Sequence, residues 1–131
     1  MDLKLTGKSA LVTGSTAGIG LAIAERLAAE GVDVVISGRN QAKLDEAAAK
    51  VGAAAPNGGK VRAVLADPAT AEGAETLIAA VPQADILVNN LGIYEAKPFT
   101  EITDDDWQYM LDVNLMSGVR LSRYYLPRML A

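Results

Sequence analysis

The stretch Thr13-Gly14-Ser15-Thr16-Ala17-Gly18-Ile19-Gly20 follows a short apolar run, Ser9 to Thr13, and leads into Ile19, Ile23 and Leu27, which recur four residues apart. Strand, glycine turn and helix in that order are what a phosphate-binding turn requires. Gly14 permits the sharp exit from the strand, Gly18 lets backbone approach a phosphate with no Cβ in the way, and Gly20 allows the helix to close on the strand. The helix N-terminus then offers unpaired N–H groups and the positive end of its dipole. Thr13, Gly14, Ser15, Thr16, Gly18, Ile19 and Gly20 are therefore the candidate phosphate-side residues. The alternative is a glycine-rich turn that binds nothing, and the ordered strand and helix around it weigh against that.

Outward from this turn the pattern repeats. Gly31 stops the first helix, and Val32 to Ser37 is a β-branched run ending at Gly38. Asn40 stands where it can cap a second helical pattern through Leu44, Ala47 and Val51. Ala53 to Gly59 is small, contains Pro56 and reads as a turn. Val61 to Ala66 reads as a third strand, Thr70 to Ala80 as a short helix, and Ile86-Leu87-Val88 as a fourth strand. Thr103, with Asp106 three residues on, forms a capping-box pattern for a final helix, whose predicted face is Trp107, Leu111, Asn114, Gly118, Leu121 and Tyr125.

Strands alternating with helices imply parallel pairing through right-handed crossovers, hence an α/β class and a doubly wound parallel sheet, the Rossmann fold. The 131 residues are expected to form one domain. With strand order 3-2-1-4, the winding reverses between the first and fourth strands, which puts the glycine turn beside Asn89-Asn90-Leu91-Gly92.

Composition narrows the chemistry. A formal net charge of -4 argues against nucleic acid or an anionic membrane as the main partner and points to a small molecule. The chain has no cysteine and no histidine, which removes Cys/His metal sites and His-centred catalysis and sits comfortably with a cytoplasmic location. Met1 to Thr6 lacks the apolar core of a signal peptide, and no stretch approaches the ~20 apolar residues of a membrane span, so a soluble protein is expected.

In a dinucleotide-binding unit, an acid at the end of the second strand accepts from the adenosine ribose, whereas a cation there suits a 2′-phosphate. Here the strand ends Ser37-Gly38-Arg39. Gly38 makes room and Arg39 offers a planar fork, which favours NADP as cofactor, with NAD possible. The alternative is that Arg39 is a solvated loop cation.

Thr13-Gly-x-x-x-Gly-x-Gly20, Asn89-Asn-Leu-Gly92 and Asp112-Val-Asn-Leu115, at these spacings, resemble the short-chain dehydrogenase/reductase family over nearly the whole chain. The resemblance implies hydride transfer between a nicotinamide and a small-molecule alcohol or carbonyl, using an Asn, Ser, Tyr and Lys tetrad. It makes Asn114 the catalytic Asn, holding a water that relays protons. It places Asp67 against adenine and Asn90 and Gly92 along the cofactor ribose, has Thr13 brace the glycine turn, and implies a homo-oligomer paired through the long helix. Two residues have plainer alternatives: Asn114 satisfying a backbone carbonyl, and Asp67 capping the following helix.

The sequence departs from the family pattern at three places. Leu91 stands where the family has alanine and is expected to narrow the space near the cofactor. Pro68 follows Asp67 where the family uses a backbone N–H toward adenine, and proline has none. The family's catalytic Ser and Tyr-x-x-x-Lys do not occur after Asn114, and Tyr124-Tyr-Leu-Pro-Arg128 reads as packing surface on a helix that Pro127 should bend. Residues 1–131 are thus expected to be an NAD(P)-binding Rossmann domain incomplete on its C-terminal side, inactive by itself, with Glu95 to Phe99 forming one wall of a substrate site. The competing expectations are a non-catalytic nucleotide-binding module and a subunit-pairing protein.

Overall fold

In the computed structural model, which describes residues 1–56 and 59–131, the strands β1 (Ser9–Val12), β2 (Asp33–Gly38), β3 (Val61–Leu65) and β4 (Ile86–Val88) form one sheet in the order β3-β2-β1-β4. All three pairings are parallel, and Val12 lies opposite both Ile36 and Val88. The winding reverses between β1 and β4, as expected.

Alternate residues of the two central strands face opposite sides. Ala10, Val12, Val34 and Ile36 pack under α1 (Gly18–Ala29) and α2 (Gln41–Ala54) with Ala24, Ala28, Leu44 and Val51. Leu11 and Val35 pack on the other side with Leu77 of α3 (Ala71–Ala80) and Leu121 and Tyr125 of α5 (Ser117–Leu130). Helices on both faces explain why β1 and β2 read as unbroken apolar runs.

Asn40 caps α2, its side chain accepting from the Lys43 N–H, and Thr70 caps α3 by accepting from the Gly73 N–H. A short 3₁₀ turn, Phe99–Glu101, precedes α4 (Asp104–Leu111), which begins with the expected reciprocal capping box between Thr103 and Asp106. Among the described residues no helix is long and apolar enough to cross a membrane.

Three expectations are corrected. Ala53 and Ala54 belong to the last turn of α2 rather than to the predicted turn over Ala53 to Gly59, and Asn57 and Gly58 of that turn lie outside the described residues. The fully buried stripe of α1 is Gly20, Ala24 and Ala28, the small residues that let it approach the sheet, with Ile23 and Leu27 packed half-buried beside them, whereas the Ile19 side chain is three-quarters exposed (75%). Small residues win that face because it lies against backbone: a Cβ on Gly20 would overlap the Gly14 carbonyl and the Asn90 amide.

The long final helix is not one α-helix. A π-helical segment, Asp112–Met116, joins α4 to α5. Its wider turn rotates the downstream surface, so that Val113, Ser117, Leu121 and Tyr125 are buried, while Trp107 and Leu111 remain 47% and 45% exposed. The helix α5 runs through Pro127 to Leu130. Tyr124 and Tyr125 do serve packing: their hydroxyls donate to the carbonyls of Pro82 and Val81, and burial pushes the Tyr125 phenol up to about 12.

Candidate functional site

The glycine turn is held from beneath by buried hydroxyls. Thr13 Oγ1 accepts from the N–H groups of Asn90 and Leu91, each at 3.1 Å, and donates to the Val88 carbonyl. Asn90 Nδ2 returns across the switch point to the carbonyls of Thr13 (3.2 Å) and Gly14 (3.1 Å). Ser15 is fully buried, its Oγ donating to Val12 O and accepting from the Ser37 N–H at 3.0 Å. Thr13, Ser15 and Asn90 therefore position the turn with side chains already committed to it. The reciprocal lock of Ser15 with Ser37 has no local signature, because the partners are 22 residues apart.

Gly14 and Gly18 adopt positive φ, +59° and +58°, a region that costs other residues about 1–2 kcal/mol. A Cβ on Gly18 would meet nothing within 4 Å, so open space lies over this backbone. The N-cap of α1, Ala17, has no side-chain cap, in contrast to Asn40, Thr70 and Thr103 on α2, α3 and α4. The first N–H groups of α1, from Gly18, Ile19 and Gly20, are those a helix cannot satisfy internally. Bare donors, a positive dipole end and clear space together suit an anion.

Beside this turn is a cleft of about 170 Å³ whose walls include Gly14, Thr16, Gly38, Arg39, Asp67 and Leu91. Gly38 lets Thr16 lie close, since a Cβ there would stand 2.5 Å from Thr16 Cγ2 and displace that side chain. Leu91 lines the same cleft, and its Cα and Cδ1 lie 3.1 and 3.3 Å from where a Cβ on Gly14 would stand, so the turn passes close under it. Arg39 is 61% exposed, with Nη1 3.9 Å from Asp67 Oδ2 and 3.2 Å from the Tyr109 hydroxyl. Asp67 Oδ1 accepts from the Ala69 N–H, bracing the turn ahead of α3, whose cap is Thr70 rather than Asp67. The Tyr109 contact escapes sequence reading because 70 residues separate the pair.

On the β4 side, Asn114 lies in the π-helical segment and pairs with the backbone of Ile93, accepting at 2.9 Å and donating at 3.1 Å. Gly92 allows this approach, as a Cβ there would be 2.9 Å from Asn114 Oδ1. The following loop and α4 enclose a larger, mainly apolar hollow of about 810 Å³, walled by Tyr94, Glu95, Pro98, Trp107 and Met110 among others. Lys97 at its rim is held 3.1 Å from Asp106. That hydrogen bond raises the Lys97 pKa above its ordinary value, while the Thr103 N–H first and Lys97 second depress the Asp106 carboxyl. Lys97 is a charged partner of Asp106 and a poor proton acceptor.

The chain is 47% identical over 130 residues to an uncharacterized oxidoreductase, YvaG, of Bacillus subtilis, covering 99% of this chain and 49% of the relative. It is 40% identical over 134 residues to the 3-oxoacyl-[acyl-carrier-protein] reductase FabG of Aquifex aeolicus, covering 99% of this chain and 53% of that protein. L-Sorbose reductase from Gluconobacter frateurii, solved with NADPH and L-sorbose, superposes with a TM-score of 0.92 at 40% identity, covering 98% of this chain and 50% of that one. The chain thus spans about half the length of the curated relatives it matches. The family model described as short chain dehydrogenase matches residues 8–131, and the chain belongs to that family of oxidoreductases.

Proposed function

We propose that this chain is the cofactor-binding half of an NADP(H)-dependent oxidoreductase acting on an alcohol/carbonyl pair. The observation that carries the reading is one cleft walled by Gly14, by Ala17 at the uncapped α1 N-terminus, and by Arg39 and Asp67, with the open backbone of Gly18 next in the chain. NADPH in the L-sorbose reductase structure supports it from a relative.

On this reading the N–H groups of Gly18, Ile19 and Gly20 hold the pyrophosphate, Arg39 binds the 2′-phosphate, and Asp67 faces adenine. Pro68 supplies no N–H there, so Asp67 is the polar anchor left at that edge. Gly92 and the Asn90 backbone lie along the ribose nearer the nicotinamide. The bound nicotinamide would supply or accept the hydride. Asn114 acts in the reaction by shaping the loop after β4, its side chain being committed to Ile93.

Proton delivery to the substrate oxygen falls to residues outside the 131, because no tyrosine here has a lysine four residues on. The hollow between the 93–98 loop and α4 is the substrate side, with Glu95 and Pro98 in its wall. The homo-oligomer is part of the same proposal, supported by the apolar surface that Trp107, Leu111 and Leu115 leave exposed. Paired equilibrium titrations with NADPH and NADH, on the unaltered chain and on Arg39→Ala, test the reading. Tighter NADPH binding that depends on Arg39 supports it, and equal affinities insensitive to Arg39 overturn it.

A further inference from the structure

We propose that Tyr109 is a positioning residue for Arg39 and so sets how strongly the cleft discriminates a 2′-phosphorylated ribose from a plain one; the inference rests on the cofactor reading above. The Arg39 guanidinium stands between two acceptors, the neutral Tyr109 hydroxyl at 3.2 Å and the charged Asp67 carboxylate at 3.9 Å. The same atom, Nη1, faces both.

A closed Arg–carboxylate pair has an N–O separation of about 2.7–2.9 Å. The observed ion pair, at 3.9 Å, is open by comparison, while the same nitrogen donates to the phenol at 3.2 Å. The consequence is chemical. A phenol oxygen accepts a hydrogen bond without neutralising the guanidinium, so Arg39 keeps its full charge for a phosphate. Asp67 Oδ2 likewise has, among the described residues, only the long 3.9 Å contact to Arg39, while Oδ1 is fixed by Ala69. Without the hydroxyl, a cation that is 61% exposed on a flexible stem is free to close on Asp67. That collapse would neutralise the phosphate ligand and the adenine anchor together. Tyr109 also restricts Arg39 before ligand arrives, which lowers the ordering cost of binding.

The test measures equilibrium binding of NADPH and of NADH to the unaltered chain, Tyr109→Phe, Arg39→Ala, Asp67→Asn and the Tyr109→Phe/Asp67→Asn pair, with thermal unfolding as a check of the fold. Tyr109→Phe is expected to lower the NADPH-over-NADH preference about 3–10-fold, the scale of one net hydrogen bond, with the unfolding midpoint unchanged. In the Asp67→Asn background, where no carboxylate can capture Arg39, the same substitution should change the preference less than about twofold. If Arg39→Ala lowers the preference and Tyr109→Phe does not, or if Tyr109→Phe weakens both cofactors equally, the positioning role is overturned. If Arg39→Ala itself leaves the preference unchanged, the cofactor assignment fails first.

Discussion

Asn114 and Ile93 are joined edge to edge, the amide of Asn114 accepting the Ile93 N–H at 2.9 Å and donating to its carbonyl at 3.1 Å. This pairing anchors the loop after β4 to the π-helical segment Asp112–Met116. Asn114→Ala deletes both bonds, and at about 0.5–1.5 kcal/mol each the stability loss should be roughly 1–3 kcal/mol. Denaturant unfolding checks the magnitude, and faster amide exchange at Ile93 and Tyr94 checks the mechanism. Asn114→Asp keeps the acceptor and loses the donor, so it should fall between the two.

Gly18→Val combines a strained φ with a bulky side chain in the open space over the turn. The fold should survive a penalty of about 1–2 kcal/mol, while binding of both NADPH and NADH disappears. A variant with native circular dichroism and undiminished cofactor affinity would remove the glycine turn from the site.

Arg39→Ala should weaken NADPH by about 1.5–3 kcal/mol, the range for a hydrogen bond to a charged group, and leave NADH nearly unchanged. Raising ionic strength should shrink the difference, because Arg39 is largely exposed. Calorimetric titration at two salt concentrations measures both effects.

Asp85 governs part of the acid limb. Its carboxylate accepts from the Ser9 N–H at 2.8 Å and from Ser9 Oγ at 3.2 Å, tying the start of β1 to the residues before β4. The Ser9 backbone bond, opposed by desolvation, holds its pKa below the ordinary carboxylate value. A folded-state pKa below the unfolded one contributes stability that is present above the unfolded value and lost as pH falls through the folded one. Asp85→Asn should therefore flatten the pH dependence of unfolding below about pH 4 and leave the neutral-to-alkaline limb unaltered. An unchanged acid limb would contradict this.

Trp107 and Leu115 are 47% and 54% exposed on the α4 and π-helical surface. If that surface pairs two copies, Leu115→Asp should shift the light-scattering mass toward the monomer. A monomeric parent protein would refute the pairing.

The strand, glycine turn and first helix were legible because their signals are local: Gly14, Gly18 and Gly20 answer to backbone torsion and close approach within eight residues. Asn40, Thr70 and the Thr103–Asp106 box were legible for the same reason, a cap being a bond across three residues. On α1 the small residues Gly20, Ala24 and Ala28 lie closest to the sheet, Ile23 and Leu27 pack beside them half-buried, and only Ile19 of the periodic set faces solvent.

Sequence alone thus determined the α/β class, the parallel winding and the glycine turn between β1 and α1, since these follow from periodicity, turn chemistry and chain handedness, whereas the order β3-β2-β1-β4 was settled by the sheet pairings. Tertiary structure decided what the polar side chains do. Ser15 and Asn90, expected at the cofactor, have their side-chain bonds to the glycine turn and to β2. Asn114 answers to Ile93, and Arg39 to Asp67 and Tyr109. The reason is geometric: a side-chain hydrogen bond forms only at about 3 Å, and which atoms come that close is set by strand register and helix packing between segments distant in the chain.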